Sequence, residues 1–294
     1  MNTAFAATAT DGVLTGPIRA PRNSARHLGA GSIHDDATAQ KLGFRGGTVA
    51  GSLHMEQFPP LLAQALGERW WQTGGLSLYF KYATTDGEPV QAHARLPLQH
   101  DRADQHVEVW MDDANGNRVC DGTASVGAPD AASALHNRIA SARAPGELRI
   151  LAALRVGATT ARVPTRITEA ALGNRLAVVT EPLPAYTDGS LWGHKIATPA
   201  LQVQIMRPAE QPLLQRGADF GVGLFGAIEL QAINGPVFVE YDYEVRATVL
   251  ALGDTPKTEY FWYESILSDP QTGQDVMSML MMLRFMKASS TRWQ

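Results

Sequence analysis

Apolar and polar residues alternate with a period of two along two groups of segments, and each group predicts an antiparallel sheet. In the first, Leu76-Ser77-Leu78-Tyr79-Phe80-Lys81-Tyr82 combines alternation with aromatic residues that suit a half-buried strand. A turn follows at Asp86-Gly87. Strands over residues 90–98 and 106–111 come next, then a hairpin loop at Asp113-Ala114-Asn115-Gly116-Asn117 and a return strand over 118–126. The second group repeats this plan. A strand over 237–245 runs toward Leu250, a turn falls at Asp254-Thr255-Pro256, and a long strand covers 257–268. The loop Asp269-Pro270-Gln271-Thr272-Gly273 then leads into a return strand over 276–286.

A helical segment precedes each group. Over residues 52–66, Leu53, Phe58, Leu61, Leu62, Ala65 and Leu66 recur at spacings that give one apolar face. Residues 190–206 form a rougher counterpart. A single amphipathic helix covering a curved sheet is a stable unit, and two such units joined edge to edge would hide an exposed strand edge on each. The pattern therefore predicts an α+β protein of two helix-wrapped antiparallel sheets. Its halves are residues 1–145 and 146–294. The connection over 127–157 is rich in Ala, Pro and Arg, with helical turns between 136 and 143.

Composition narrows the classes. The 294 residues are 45% hydrophobic, enough for one large domain or two ordinary ones with a real core. A formal charge of -4 argues against general attraction to nucleic acid. The single cysteine, Cys120, cannot form an intrachain disulfide and falls in an expected strand, where burial explains it. Residues 1–11 lack the basic and apolar regions of a signal peptide, and the apolar run over 276–282 is far shorter than the ~20 residues of a membrane helix. The expectation is a cytoplasmic protein that engages neither nucleic acid nor membrane.

Chemistry concentrates between Gly31 and Met55. This stretch offers His34 beside Asp35 and Asp36, a short helix, the glycine-rich turn Gly43-Phe44-Arg45-Gly46-Gly47, and a long helix opening at Gly51. Histidine exchanges protons near neutrality. Bare N–H groups at a helix start can hold a carbonyl oxygen as it gains negative charge, and glycine allows close approach. One of Asp35 and Asp36 is expected to cap the short helix, which Gly43 stops; orienting His34 is the alternative role. Arg45 is either a solvated arginine or a phosphate contact, with Lys81 and Arg26 as weaker candidates of the same kind. His54, one turn into the long helix, is expected to be packed. His34 and His54 lack metal-ligand spacing, so no metal is expected.

The segment resembles the MaoC-like (R)-hydratase and dehydratase family, and its double-hotdog branch in particular. The match rests on Ser32-Ile33-His34, Asp36, Leu42-Gly43-Phe44, Gly46-Gly47 and Val49-Ala50-Gly51. The resemblance implies a double hotdog and an acyl thioester of CoA or a carrier protein as substrate. It also implies reversible addition of water to a conjugated double bond. His34 matches the family's catalytic histidine and Gly51 the glycine whose N–H polarises the thioester carbonyl. Asp36 joins them as a catalytic candidate, and Ser32, Arg45, Gly46, Gly47 and Val49 are candidate substrate contacts. No cofactor is implied beyond the CoA or pantetheine of the substrate, and two double hotdogs could pair as a homodimer. The family's motif carries an aspartate five residues before the histidine and an asparagine two before it; here these are Gly29 and Ser32. The spacing from His34 to Gly43-Phe44 is also about one residue tighter. A thioesterase, an isomerase and an acyl-binding protein without turnover stay open as alternatives. In the second half, the matching loop over 186–194 lacks the His-x-Asp and glycine pattern, leaving Asp188 and His194 as a fallback pair.

Overall fold

The computed structural model describes residues 5–25, 29, 31–98, 102–214 and 219–294. A small hairpin of β1 (Thr8–Thr10) and β2 (Val13–Thr15) comes first. The first half then carries α1 (Asp36–Lys41), α2 (Gly51–His54), α3 (Pro59–Leu66) and α4 (Trp70–Thr73). Its strands are β3 (Gly74–Phe80), β4 (Val90–Arg95), β5 (Gln105–Asp113) and β6 (Arg118–Val126). After α5 (Ala134–Ala140) come β7 (Val163–Arg166), α6 (Glu169–Leu176), α7 (Pro184–Thr187), α8 (Pro199–Met206) and α9 (Glu210–Leu213). The chain closes with β8 (Gly223–Ala232), β9 (Asp242–Asp254), β10 (Thr258–Ser268) and β11 (Asp275–Met286).

All the strands join one antiparallel sheet in the order β1-β2-β4-β5-β6-β3-β8-β11-β10-β9-β7. The inner part reads 4-5-6-3 and then 8-11-10-9, so the two halves mirror each other about the β3–β8 pair. That pair sets Leu76 opposite Leu230 and Leu78 opposite Ile228. It is the edge-to-edge junction expected of a double hotdog, and neither central strand is left as an open edge.

The long helix of the first half is interrupted. Gly51–His54 passes through a 3-10 turn at Met55–Gln57 before resuming at Pro59–Leu66, with right-handed dihedrals at the junctions. Pro59 and Pro60 cannot donate backbone hydrogen bonds, which explains the break in the ladder. Met55, Phe58, Leu61 and Leu62 on this segment are fully buried against the sheet, each worth about 1.5–3 kcal/mol of transfer free energy. On the other face of the sheet, α5 straddles the seam. Leu135 packs with Ala227, Trp262, Leu280 and Met282, and its N–H donates to Ser77 Oγ on β3.

Several expectations need correction. The helix expected over 190–206 occupies only Pro199–Met206, because residues 190–194 turn and Ile196 forms an isolated bridge to Phe238. The strand expected from 237 begins at Asp242, and Glu240 has a positive φ of 58° that no strand accommodates. Strand β8 was not anticipated. Its Gly223, Gly226, Glu229 and Gln231 disguise it, yet both of its polar side chains are buried and bonded. Glu229 accepts from Ser133 Oγ at 2.5 Å, and Gln231 Nε2 donates to the carbonyls of Thr73 and Ala232.

Candidate active site

His34 sits in the turn before α1, and four polar contacts hold its segment. Its N–H donates to Ser32 Oγ at 3.2 Å, and its carbonyl accepts from Asn23 Nδ2 at 2.9 Å. The Thr48 N–H donates to the Ile33 carbonyl at 2.9 Å, and the Thr48 carbonyl lies 2.7 Å from His34 Nδ1. A carbonyl only accepts, so Nδ1 carries the proton of the neutral ring and Nε2 keeps the lone pair. The glycine-rich turn closes on this loop. A Cβ on Gly47 would stand 2.4 Å from the His34 carbonyl oxygen, and the Gly47 N–H donates to Asp36 Oδ1 at 2.8 Å. Glycine at 47 is thus a requirement of close approach.

The helix start at Gly51 faces the same space. Ala50 precedes it in extended conformation with no side-chain cap, and among the described residues the N–H groups of Gly51 and Ser52 have no protein acceptor. The ring of Phe80 closes over Gly51 so tightly that a Cβ there would lie 2.5 Å from two ring carbons.

Both features line a cavity of about 830 Å³ at the junction of the halves. Ser32, His34, Val49 and Gly51 contribute from the first half, and Leu224, Phe225, Leu283 and Phe285 from the second. Its wall also includes His54, whose Nε2 bonds Thr84 Oγ1 at 2.8 Å. Complete burial pulls the His54 pKa down to about 4 and keeps the ring neutral. The carboxylate on the lining is Glu210. Both of its oxygens are engaged, by Arg207 at 2.7 and 2.9 Å and by the Tyr263 hydroxyl at 2.5 Å.

Of the remaining sequence candidates, Lys81 lines the cavity, whereas Asp35, Asp36, Arg45, Gly46 and Gly47 do not. Asp35 caps α1, accepting from Thr38 N at 2.9 Å, while Asp36 holds the Gly47 turn. Gly46 and Gly47, expected as substrate contacts, do not line the cavity; Gly46 packs against Asp36 and Thr85, and Gly47 against the His34 carbonyl. Arg45 is bound to Glu88 at 2.8 Å and to the Ala83 carbonyl, and stacks on Tyr82; Lys81 lines the cavity and pairs with Asp121. Arg26 lies outside the described residues. Gly29, where the resemblance would put aspartate, has φ of +70°, a conformation that disfavours most side chains. Cys120 is fully buried, and burial pushes its thiol far above the usual range.

Among the described residues the second half offers no equivalent. Its helix opens at Pro199, which has no N–H to donate, and Thr198 caps the Leu201 N–H. Glu56, a residue sequence reasoning missed, fills the neighbouring space. It is fully buried on the first half's long helix, pairs with Arg175 at 2.9 Å, and burial pushes its pKa up to about 7. The fallback pair does not assemble either. Asp188 binds Ser190, and His194 packs on Phe238.

No family model and no curated protein sequence matches the chain. Solved structures do. A provisionally named MaoC domain protein dehydratase from Chloroflexus aurantiacus J-10-fl superposes with a TM-score of 0.63 at 11% identity, covering 96% of this chain and 94% of that one. RV0216 of Mycobacterium tuberculosis, described as a conserved hypothetical protein with a double hotdog fold, gives 0.57 at 11% identity over 97% and 96%. A MaoC-like dehydratase gives 0.54 at 14% identity over 96% and 98%. The chain is a double-hotdog protein, similar in fold to MaoC-like dehydratases along nearly its whole length. Among its described residues no helix is long and apolar enough to cross a membrane.

Proposed function

We propose that the protein adds water to, or removes it from, a conjugated acyl thioester at the His34–Gly51 site. The observation that carries this reading is one cavity lined by both a histidine with a fixed tautomer and an uncapped helix start. In hydration, His34 Nε2 takes a proton from water as the oxygen attacks C3. The electron pair of the double bond moves onto the thioester carbonyl, whose oxygen is held by the Gly51 N–H. The imidazolium then returns its proton to C2, giving the 3-hydroxyacyl thioester. Glu210, the lining carboxylate, is already committed to Arg207 and Tyr263, so His34 serves both transfers. One group delivering both additions makes them fall on the same face of the double bond.

The test is a spectrophotometric assay with crotonyl-CoA and a longer enoyl-CoA. Loss of the enone band is expected, and His34→Ala should slow it by at least ~100-fold. Turnover by that variant within a few-fold of the wild type would sink the assignment. Release of free thiol instead of loss of the enone would point to a thioesterase.

A further inference from the structure

Arg207, at the C-terminal end of α8, has donors that the chemistry above does not use. Its Nε and Nη2 donate to Glu210 at 2.9 and 2.7 Å, and its guanidinium carbon lies 5.0 Å from the centre of the Phe225 ring. One edge and one face of the guanidinium are thereby fixed. A guanidinium carries five N–H donors. The end-on edge, made of Nη1 and the second proton of Nη2, has no protein acceptor among the described residues. Glu210 does not serve it, because its oxygens already take the other edge and the Tyr263 hydroxyl.

The fold puts this free edge at the reaction end of the cavity. α8 packs against α2 and against the 3-10 turn that follows it. Glu56, on that turn, meets the Thr198 hydroxyl and the Ala200 N–H at the opposite end of α8. The two helices therefore run antiparallel, which brings the C-terminal end of α8 toward Gly51. Arg207, Phe225 and Gly51 accordingly line one cavity with His34. Among the described residues the ionised side chains on the lining are Lys81, Arg207, Lys257 and Arg284 against Glu210. An alkyl chain laid against Arg207 strips water from its free edge and returns no acceptor, which is unfavourable. A carboxylate matches two parallel N–H donors.

We infer that the acyl group ends in a carboxylate, held end-on by Arg207, so that the substrate is a monothioester of an unsaturated dicarboxylic acid. This rests on the thioester reading above and narrows it. The nearness of Arg207 to the helix start that holds the carbonyl suits a short chain, with few carbons between its two ends.

Fumaryl-CoA and crotonyl-CoA differ only in having a carboxylate or a methyl group at the far end, so contacts to CoA cancel in their ratio. Wild type should use fumaryl-CoA with a kcat/KM about 10- to 100-fold higher, the range for charge-assisted hydrogen bonds. Arg207→Gln should bring the ratio to within about threefold. Because that variant leaves Glu210 without its cation, Arg207→Gln/Glu210→Gln, which removes both charges, is the second variant and should lose the preference alike. Arg118→Gln, remote at the β5–β6 hairpin, should keep the wild-type ratio. Competition binding with the saturated pair, succinyl-CoA and butyryl-CoA, reads the same preference without turnover, and the wild-type ratios decide even where neither variant folds. Equal use and equal binding of the two members of each pair by wild type, or a preference that survives in a folded variant, overturns the inference. Tighter binding of succinyl-CoA with no turnover of either enoyl thioester would sink the hydratase reading and leave this one standing. Turnover of crotonyl-CoA with no preference in either pair would do the reverse.

Discussion

Replacing Gly51 by alanine tests the helix start and its contact with Phe80 together. The new Cβ would stand 2.5 Å from Phe80 Cε2 and Cζ and 2.9 Å from Cδ2. Ordinary carbon contacts lie at about 3.5–4.0 Å, so a gap of roughly 1 Å must open. Overpacking of this kind costs about 1–3 kcal/mol. The same change removes a glycine from a helix, which returns up to about 1 kcal/mol. Gly51→Ala alone is therefore expected to lose about 0–3 kcal/mol, too wide a range to decide anything. The coupling between positions 51 and 80 is the decisive quantity, because the propensity gain cancels in a double-mutant cycle. Phe80→Leu should relieve the collision, and urea unfolding of the four proteins should give a coupling of about 1–3 kcal/mol. A coupling below about 0.5 kcal/mol would mean that the ring does not press on the helix start. Enoyl-CoA turnover is a second readout. A shift of the donor by about 1 Å should cost on the order of 100-fold. Unimpaired turnover in a Gly51→Ala protein that shows the coupling would refute the carbonyl-holding role and spare the packing argument.

Three further expectations follow from buried groups and from the seam. His54 is neutral in the fold, with its pKa pulled down to about 4, and titrates near 6.5 when unfolded. Between those values the unfolded chain binds the extra proton, so acidification lowers the stability that His54 permits; the stability advantage of wild type over His54→Gln should shrink by about 3 kcal/mol from pH 7 to pH 4. Measuring this as a difference matters because Glu56, pushed up to about 7 by burial, works in the opposite sense over the same range; a flat difference would refute the His54 assignment. Arg175→Ala leaves Glu56 buried without its cation and should destabilise the protein at pH 8 by about 3–5 kcal/mol, seen in chemical denaturation; a loss below 1 kcal/mol would show that the pair is not sequestered. A fragment of residues 1–145 would bare the β3 edge and should aggregate or stay unfolded by circular dichroism and size-exclusion chromatography; a monodisperse folded fragment would contradict this.

Local pattern by itself determined the strands flanking the central pair of the sheet and the existence of the first helix. Strands β5, β6, β10 and β11 alternate so clearly, and their hairpin turns are so well marked, that their positions follow from residues close together in the chain. The cluster around His34 was legible for the same reason: a capped turn, a glycine stop and a helix start are local features, and Asp35 does cap α1. Tertiary structure decided the rest. Strand β8 owes its existence to partners elsewhere, since Glu229 and Gln231 become tolerable only where Ser133, Thr73 and the sheet satisfy them. Arg45 was as convincing a phosphate ligand as a solvated side chain until the fold brought Glu88 to it from another turn, while Arg284, hidden in a strand of methionines, lines the cavity and donates to the Tyr79 hydroxyl. Short-range periodicity specifies which residues turn inward. Whether a buried charge finds a counter-charge depends on which distant segments meet, and no window along the chain contains that information.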